Sequence, residues 1–113
     1  MEFYVYNLKE FSPTVEQAEG ILLIEIENAK KAGVKGIKFI HGYGSNSVGG
    51  SICLRLKTFL PMLKKQGKIK DFINGIDWCL GNEKTFKFIK SCPTASGDVD
   101  LNNRNVGVSI VIL

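Results

Sequence analysis

Apolar residues recur along the chain in two rhythms, and the rhythm changes where turn-forming residues interrupt it. In EFYVYNL, Phe3, Val5 and Leu8 stand among aromatic and β-branched neighbours, which predicts an opening strand. Pro13 prevents an early helix start, and Thr14 with Gln17 three residues on has the form of a capping box. Val15, Ala18, Leu22, Ile26 and Ala29 then repeat at helical spacing until Gly33 supplies a left-handed stop. These signals predict an amphipathic helix of about 18 residues. VKGIKFIH reads as a short strand whose Ile37, Phe39 and Ile40 suit a buried central position. From about Gly50, Ile52, Leu56, Phe59, Leu60 and Leu63 mark a second amphipathic helix. Pro61 cannot donate to the carbonyl of Lys57, so a kink or an early end is expected there.

Gly67 closes that helix, and IKDFI predicts a third strand. NEKTFKFIKSC has the marks of a short helix: Asn82 as cap, Glu83 at the positive end, Lys87 and Lys90 toward the negative end. The alternation of Phe86 and Phe88 also suits a strand. VGVSIVIL, reached through the turn-rich PTASGDVDLNNRN, is the last predicted strand. The order β-α-β-α-β-(α)-β implies a mixed four-stranded sheet with helices packed on it, a two-layer α/β sandwich. No internal repeat or low-complexity linker divides residues 1–113, and that length suits a single domain.

Composition narrows the setting. Hydrophobic residues make up 44% and charged residues 23%, and no apolar run approaches the roughly 20 residues that cross a bilayer, so no membrane partner is expected. The N-terminus lacks a basic leader followed by an apolar block, which argues against a secretory signal. Cys53, Cys79 and Cys92 form no CxxC pair, so neither a disulfide framework nor a zinc site is expected, and a reducing cytoplasm is the simplest compartment. The net charge of +4 is unevenly spread: residues 1–28 hold six acids and one base, residues 29–90 thirteen bases and three acids. An anionic partner would meet the middle of the chain. Lys64, Lys65, Lys68 and Lys70 either answer such a partner or solvate a helix end.

The chain's only histidine lies in HGYGSNSVGG, between the carboxyl end of a predicted central strand and the amino end of a helix, where α/β sheets usually bind ligands. Gly42 and Gly44 permit tight turns and close approach to the backbone. The free amides of a helix start favour an anion, and Ser45, Asn46, Ser47 and Ser51 add donors. A phosphate group fits this chemistry. The loop is neither GxxxxGK[ST] nor GxGxxG, so it is not a Walker loop or a dinucleotide fingerprint.

IKFIHGYGSNSVGGSICLRLKTFL resembles the signature of the small MutS-related (Smr) domain, in which an apolar strand enters an HGxG loop and then a helix. His41, Gly42 and Gly44 match HGxG, and Asn46 stands where the fuller HGxGxG form has its third glycine. TVEQA resembles the start of the family's first helix and GVSIVIL its closing strand, while NEKTFKFIKSCP and DLNNRNVGVSIVIL resemble C-terminal portions of short, free-standing members. The resemblance implies a fold similar to the C-terminal domain of translation initiation factor three, and nucleic-acid binding; some relatives are endonucleases. Where members carry DLHG or DLRG at the end of the first strand, this chain has Asn7, Leu8, Lys9 and Glu10. The acid and the glycine are replaced, and Lys9 keeps a base after the leucine.

Phosphodiester cleavage needs an activated nucleophile, stabilised phosphorane charge and a protonated leaving oxygen. His41, with an ordinary pKa near 6.5, is the candidate acid or base, and Lys9 its tentative catalytic companion. Gly42, Gly44, Ser45, Asn46 and Ser47 are the candidate phosphate-binding loop, with Lys38 and Arg104 as candidate cations and Tyr43 as a base-stacking residue. The alternative for His41 is that its ring fixes the loop without reacting. Trp78 reads as a core residue, Cys53 and Cys92 as small buried hydrophobes. No carboxylate or imidazole cluster adjoins His41 in the sequence, so no metal or other cofactor is expected. RNA is favoured over DNA because it brings its own 2′-hydroxyl nucleophile. The other readings are a catalytically silent adaptor for a protein or ribosomal partner, and a phosphate- or nucleotide-binding module.

Overall fold

The capping box at Thr14 forms: the Gln17 amide donates to Thr14 Oγ1 at 3.1 Å and the Thr14 amide to Gln17 Oε1 at 2.9 Å. It opens helix α1, Val15–Lys31. Val34 donates to Ala29 O and Gly33 to Lys30 O, so the last carbonyls are satisfied as Gly33 turns left-handed at a φ of 74°. The computed structural model describes residues 2–43 and 48–113. In chain order the remaining elements are β1 (Phe3–Asn7), β2 (Gly36–Ile40), α2 (Val48–Lys65), β3 (Asp71–Asn74), α3 (Glu83–Ser91) and β4 (Val108–Ile112). Among the described residues no helix is long and apolar enough to cross a membrane.

The strands form one mixed sheet in the order β1-β2-β4-β3. β1 runs parallel to β2, and β4 runs antiparallel to both β2 and β3. The carboxyl ends of β1 and β2 therefore lie side by side, with Asn7 opposite Ile40. Because successive side chains face opposite ways, Ile37, Phe39 and Val111 share one face, and Lys38, Ile110 and Ile73 the other.

Helices α1 and α2 cover the first face with Leu22, Ile26, Ile52, Leu60 and Leu63, completing a two-layer α/β sandwich. Short elements shield part of the second face, where Trp78, Phe88, Cys92 and Ala95 pack on Ile73 and Ile110. Phe3 stacks on Trp78 with ring centroids 6.0 Å apart. The helical alternative for residues 82–92 is the one that forms, since helical spacing carries Thr85 and Phe88 inward together while Phe86 stays exposed.

Of the two outcomes expected at Pro61, the early end does not occur. Helix α2 does not end there but continues to Lys65. Pro61 is on the exposed side, while Phe59, Leu60 and Leu63 on either side of it are buried. Burial of each such side chain contributes roughly 1.5–3 kcal/mol, enough together to offset one missing backbone hydrogen bond.

The second face also holds a charge. Lys38, 1% exposed in the middle of β2, places its ammonium 2.7 Å from both Asp98 Oδ1 and Asp100 Oδ2. Trp78 Nε1–H donates to the other oxygen of Asp98 at 3.0 Å, and Asn105 Nδ2–H to the other oxygen of Asp100 at 3.0 Å. Burial works to raise the pKa of Asp100, but the Asn105 amide and the Lys38 ammonium outweigh it and hold the carboxyl below its ordinary 3.8.

Lys38→Met is expected to cost about 3–5 kcal/mol, read as a lower urea midpoint, because it leaves two carboxylates without their cation. Adding Asp98→Asn and Asp100→Asn should restore part of the loss. Since the folded pKa of Asp100 is depressed, its contribution is present above about 3.8 and disappears as pH falls through the folded value. A Lys38→Met protein as stable as the parent would show that the ammonium is not holding this region.

Candidate functional site

His41 follows β2 and points to the same face as Phe39, where it is 1% exposed. Its main-chain amide and that of Gly42 both donate to Gly107 O, at 2.9 and 3.0 Å, joining the strand exit to the residues just before β4. A Cβ on Gly107 would sit 2.9 Å from Tyr43 Cδ1 and 3.2 Å from Gly42 Cα, so a larger residue there would have to displace the Tyr43 ring and press on the Gly42 backbone. Gly42 itself has a φ of 74°, a conformation that side chains rarely adopt.

The imidazole is held at both nitrogens. Nδ1 lies 2.8 Å from Gly42 O, and a carbonyl can only accept, so Nδ1 carries the hydrogen in the neutral ring. Nε2 is then the acceptor for the Ser109 hydroxyl, 2.9 Å away. Burial pushes the His41 pKa below its ordinary 6.5, against the Gly42 and Val108 carbonyls, which favour the charged form; the Lys9 charge reinforces the depression. The ring is neutral at pH 7, with its basic nitrogen turned toward Ser109.

Both His41 and Ser109 line an open cleft of about 550 Å³. Helix α2 contributes Cys53 and Lys57 to one wall, and the segment after β3 contributes Asn74 and Ile76 to another. Tyr43, Leu54, Ile76 and Val106 are exposed apolar side chains that also line it, which makes it receptive to a flat apolar surface such as a nucleobase. Cys53 Sγ–H reaches Val106 O at 3.6 Å, so this thiol is half-buried in the cleft wall and not a core residue.

The parallel pairing of β1 and β2 brings Lys9 to the same end of the sheet as His41. The Lys9 amide donates to Asn7 Oδ1 at 2.9 Å, and the Leu8 amide to Ile40 O at 2.8 Å, with Leu8 buried in the core. Asn7 thus uses its side chain to close the turn that presents Lys9. Lys38 does not join this group, because it faces the opposite side of the sheet and is held by Asp98 and Asp100. Arg104 is exposed in the turn before β4, with a φ of 51°, and does not line the cleft. Tyr43 is 62% exposed at the cleft, as a stacking residue requires. Gly44, Ser45, Asn46 and Ser47, the candidate phosphate loop, lie outside the described residues. Among the described residues no three metal-ligating side chains come together.

Ser109 is the site residue that sequence reasoning passed over. Its signal was present: in VSIVI it is the one polar residue of a strand whose other positions are all apolar. Its significance depends on the antiparallel register that sets it across from Phe39, two residues from His41.

Ser109→Ala leaves buried His41 Nε2 without a donor and is expected to lower stability by about 1–3 kcal/mol in urea unfolding. The pH dependence follows from the depressed pKa. Below 6.5 the unfolded chain binds a proton at His41 that the folded chain refuses, so stability is full above 6.5 and falls as pH drops toward the folded value. His41→Ala should flatten this part of the stability profile; an unchanged slope would assign it to other groups.

Comparison of the chain with known protein families, with curated proteins and with solved structures finds no match.

Proposed function

We propose that this protein is a nucleic-acid-binding domain of the Smr type that holds a strand at the cleft beside His41. The observation that carries the reading is a neutral, doubly hydrogen-bonded imidazole at an open cleft, at the shared carboxyl end of two parallel strands, with the Lys9 charge acting on it. Tyr43 offers a stacking surface, worth about 1–3 kcal/mol for each base it holds. Lys57 offers a cation for phosphate. The free thiols of Cys53, Cys79 and Cys92 accord with a reducing cytoplasm.

The same arrangement supports metal-independent cleavage of RNA. A neutral imidazole accepts the proton of a ribose 2′-hydroxyl, either directly once the Ser109 hydroxyl turns away or through that hydroxyl, which passes its own proton to Nε2 as it receives the substrate's. The freed 2′-oxygen attacks the adjacent phosphorus, Lys9 offsets the charge that develops there, and the bond from phosphorus to the 5′-oxygen breaks to leave a 2′,3′-cyclic phosphate as the imidazolium returns its proton to the departing oxygen. DNA lacks this internal nucleophile, which favours RNA as the substrate.

A second reading, binding without cleavage, is favoured by the occupancy of both ring nitrogens and by Asn7 and Glu10 in place of an acid and a glycine. Such a protein would serve as an adaptor, with a ribosomal or other ribonucleoprotein partner as its context.

A denaturing-gel assay on labelled structured RNA and duplex DNA separates these readings. Cleavage is expected on RNA, without added metal, and His41→Ala should reduce it by at least about 100-fold, the scale of general acid–base catalysis. Salt-sensitive binding with no cuts from either protein would leave the adaptor. Absence of binding to either nucleic acid at low salt would refute both.

A further inference from the structure

The strongest concentration of positive charge in the described residues is not at the His41 cleft but at the opposite end of the sheet. There the chain enters β2 and β3 and leaves β4, and α1 and α2 finish. Two depressions, of about 430 and 240 Å³, adjoin there, both lined by Lys70 and Leu113. Together they are lined by six lysines, Lys30, Lys35, Lys68, Lys70, Lys84 and Lys87, and by one acidic side chain, Asp71.

Part of this charge is already employed in the fold. Lys30 Nζ donates to Lys68 O, Lys35 Nζ donates to Ser91 O and pairs with Glu2, Lys84 pairs with Asp71, and Lys87 with Glu83. The Lys35 ammonium, on the carbonyl of the last residue of α3, also complements the negative end of that helix. Lys68 and Lys70 differ, since neither takes part in an ion pair with a carboxylate among the described residues. Their main chain is pinned, with the Lys68 amide on Leu63 O and the Lys70 amide on Ile112 O, both at 2.9 Å or less. Two exposed ammonium groups therefore project from a fixed base into a concave, lysine-lined surface.

Resting on the nucleic-acid reading above, we propose that this groove is the docking surface for the phosphate backbone of a single-stranded RNA. The concave run of lysines matches the charge of a polyphosphate strand. Half-buried Ile112 and Leu113 add apolar surface to the lining, but none of the large exposed apolar side chains joins them, so the lysines set the character of the partner. The groove and His41 are separated by the length of β2, roughly 20 Å at about 3.3 Å per residue. Affinity and chemistry are then supplied at opposite ends of the sheet, and a strand must span that distance to engage both.

The test compares the full chain with its Lys68→Gln/Lys70→Gln variant, measuring Kd for a fluorescently labelled single-stranded RNA across a salt series, with the melting temperature as a folding control. The expected result is a folded variant with several-fold weaker binding at low salt, and a log–log salt slope shallower by about 0.7 for each phosphate that is no longer neutralised. An unchanged slope in this variant, with flattening instead in Lys9→Gln/Lys57→Gln, would overturn the groove and leave nucleic-acid binding at the cleft intact. Absence of RNA binding by the unsubstituted chain would overturn both readings. Tighter binding to phosphatidylserine vesicles than to RNA, abolished by the same double substitution, would reassign the groove to an anionic membrane.

Discussion

Under the centre of the sheet, the Lys38 ammonium is closed in between Asp98 and Asp100, and the geometry of the candidate site hangs on that contact. A buried cation must be matched by anions brought to it, so the long connection after α3 is drawn across the second face instead of trailing into solvent. From Asp100 the ordering passes to the Asn105 amide, from Asn105 Oδ1 to the Gly107 amide at 2.8 Å, and from Gly107 O to the amides of His41 and Gly42. The lysine thus acts on the histidine from the other side of the sheet. Its influence is exerted through the position of residues 105–107 and not through charge at the cleft.

This arrangement lets His41 be both buried and useful. A charged imidazole would be costly in its surroundings, and burial keeps it neutral. Two hydrogen bonds compensate the neutral ring and select the form with its hydrogen on Nδ1. Ser109 completes that compensation from β4, the strand that residues 105–107 introduce. The structural role of the ring and its capacity to accept a proton share the same two contacts, so neither can be altered without touching the other.

The acid-poor middle of the chain gains meaning from how the fold distributes it. In sequence, Lys30 to Lys87 are scattered over three helices and the entries to two strands. Because α1 and α2 each return antiparallel to the strands they connect, their basic ends converge at one end of the sheet, while the His41 turn leaves from the other. The separation of a charged groove from a mainly neutral cleft is thus a result of βα winding, and net charge alone does not reveal it.

Local chemistry settled most of the elements in advance. Thr14 with Gln17, Gly33, Gly67 and Asn82 marked helix ends because capping bonds involve residues only a few positions apart, and the apolar periods of Ile37 to Ile40 and Val108 to Leu113 read as buried strands for the same reason. The place of His41 after a central strand was equally legible. Long-range packing decided the rest: the strand order β1-β2-β4-β3, the continuation of α2 through Pro61, and the hydrogen bond from Ser109 to a histidine 68 positions away. Lys38 shows the boundary most clearly. Strand alternation already set it on the opposite face from Phe39, but only the folding of residues 98–105 beneath that face made it a buried partner of two carboxylates and not a cation for a ligand, since a side chain's solvent exposure depends on which distant segment covers it.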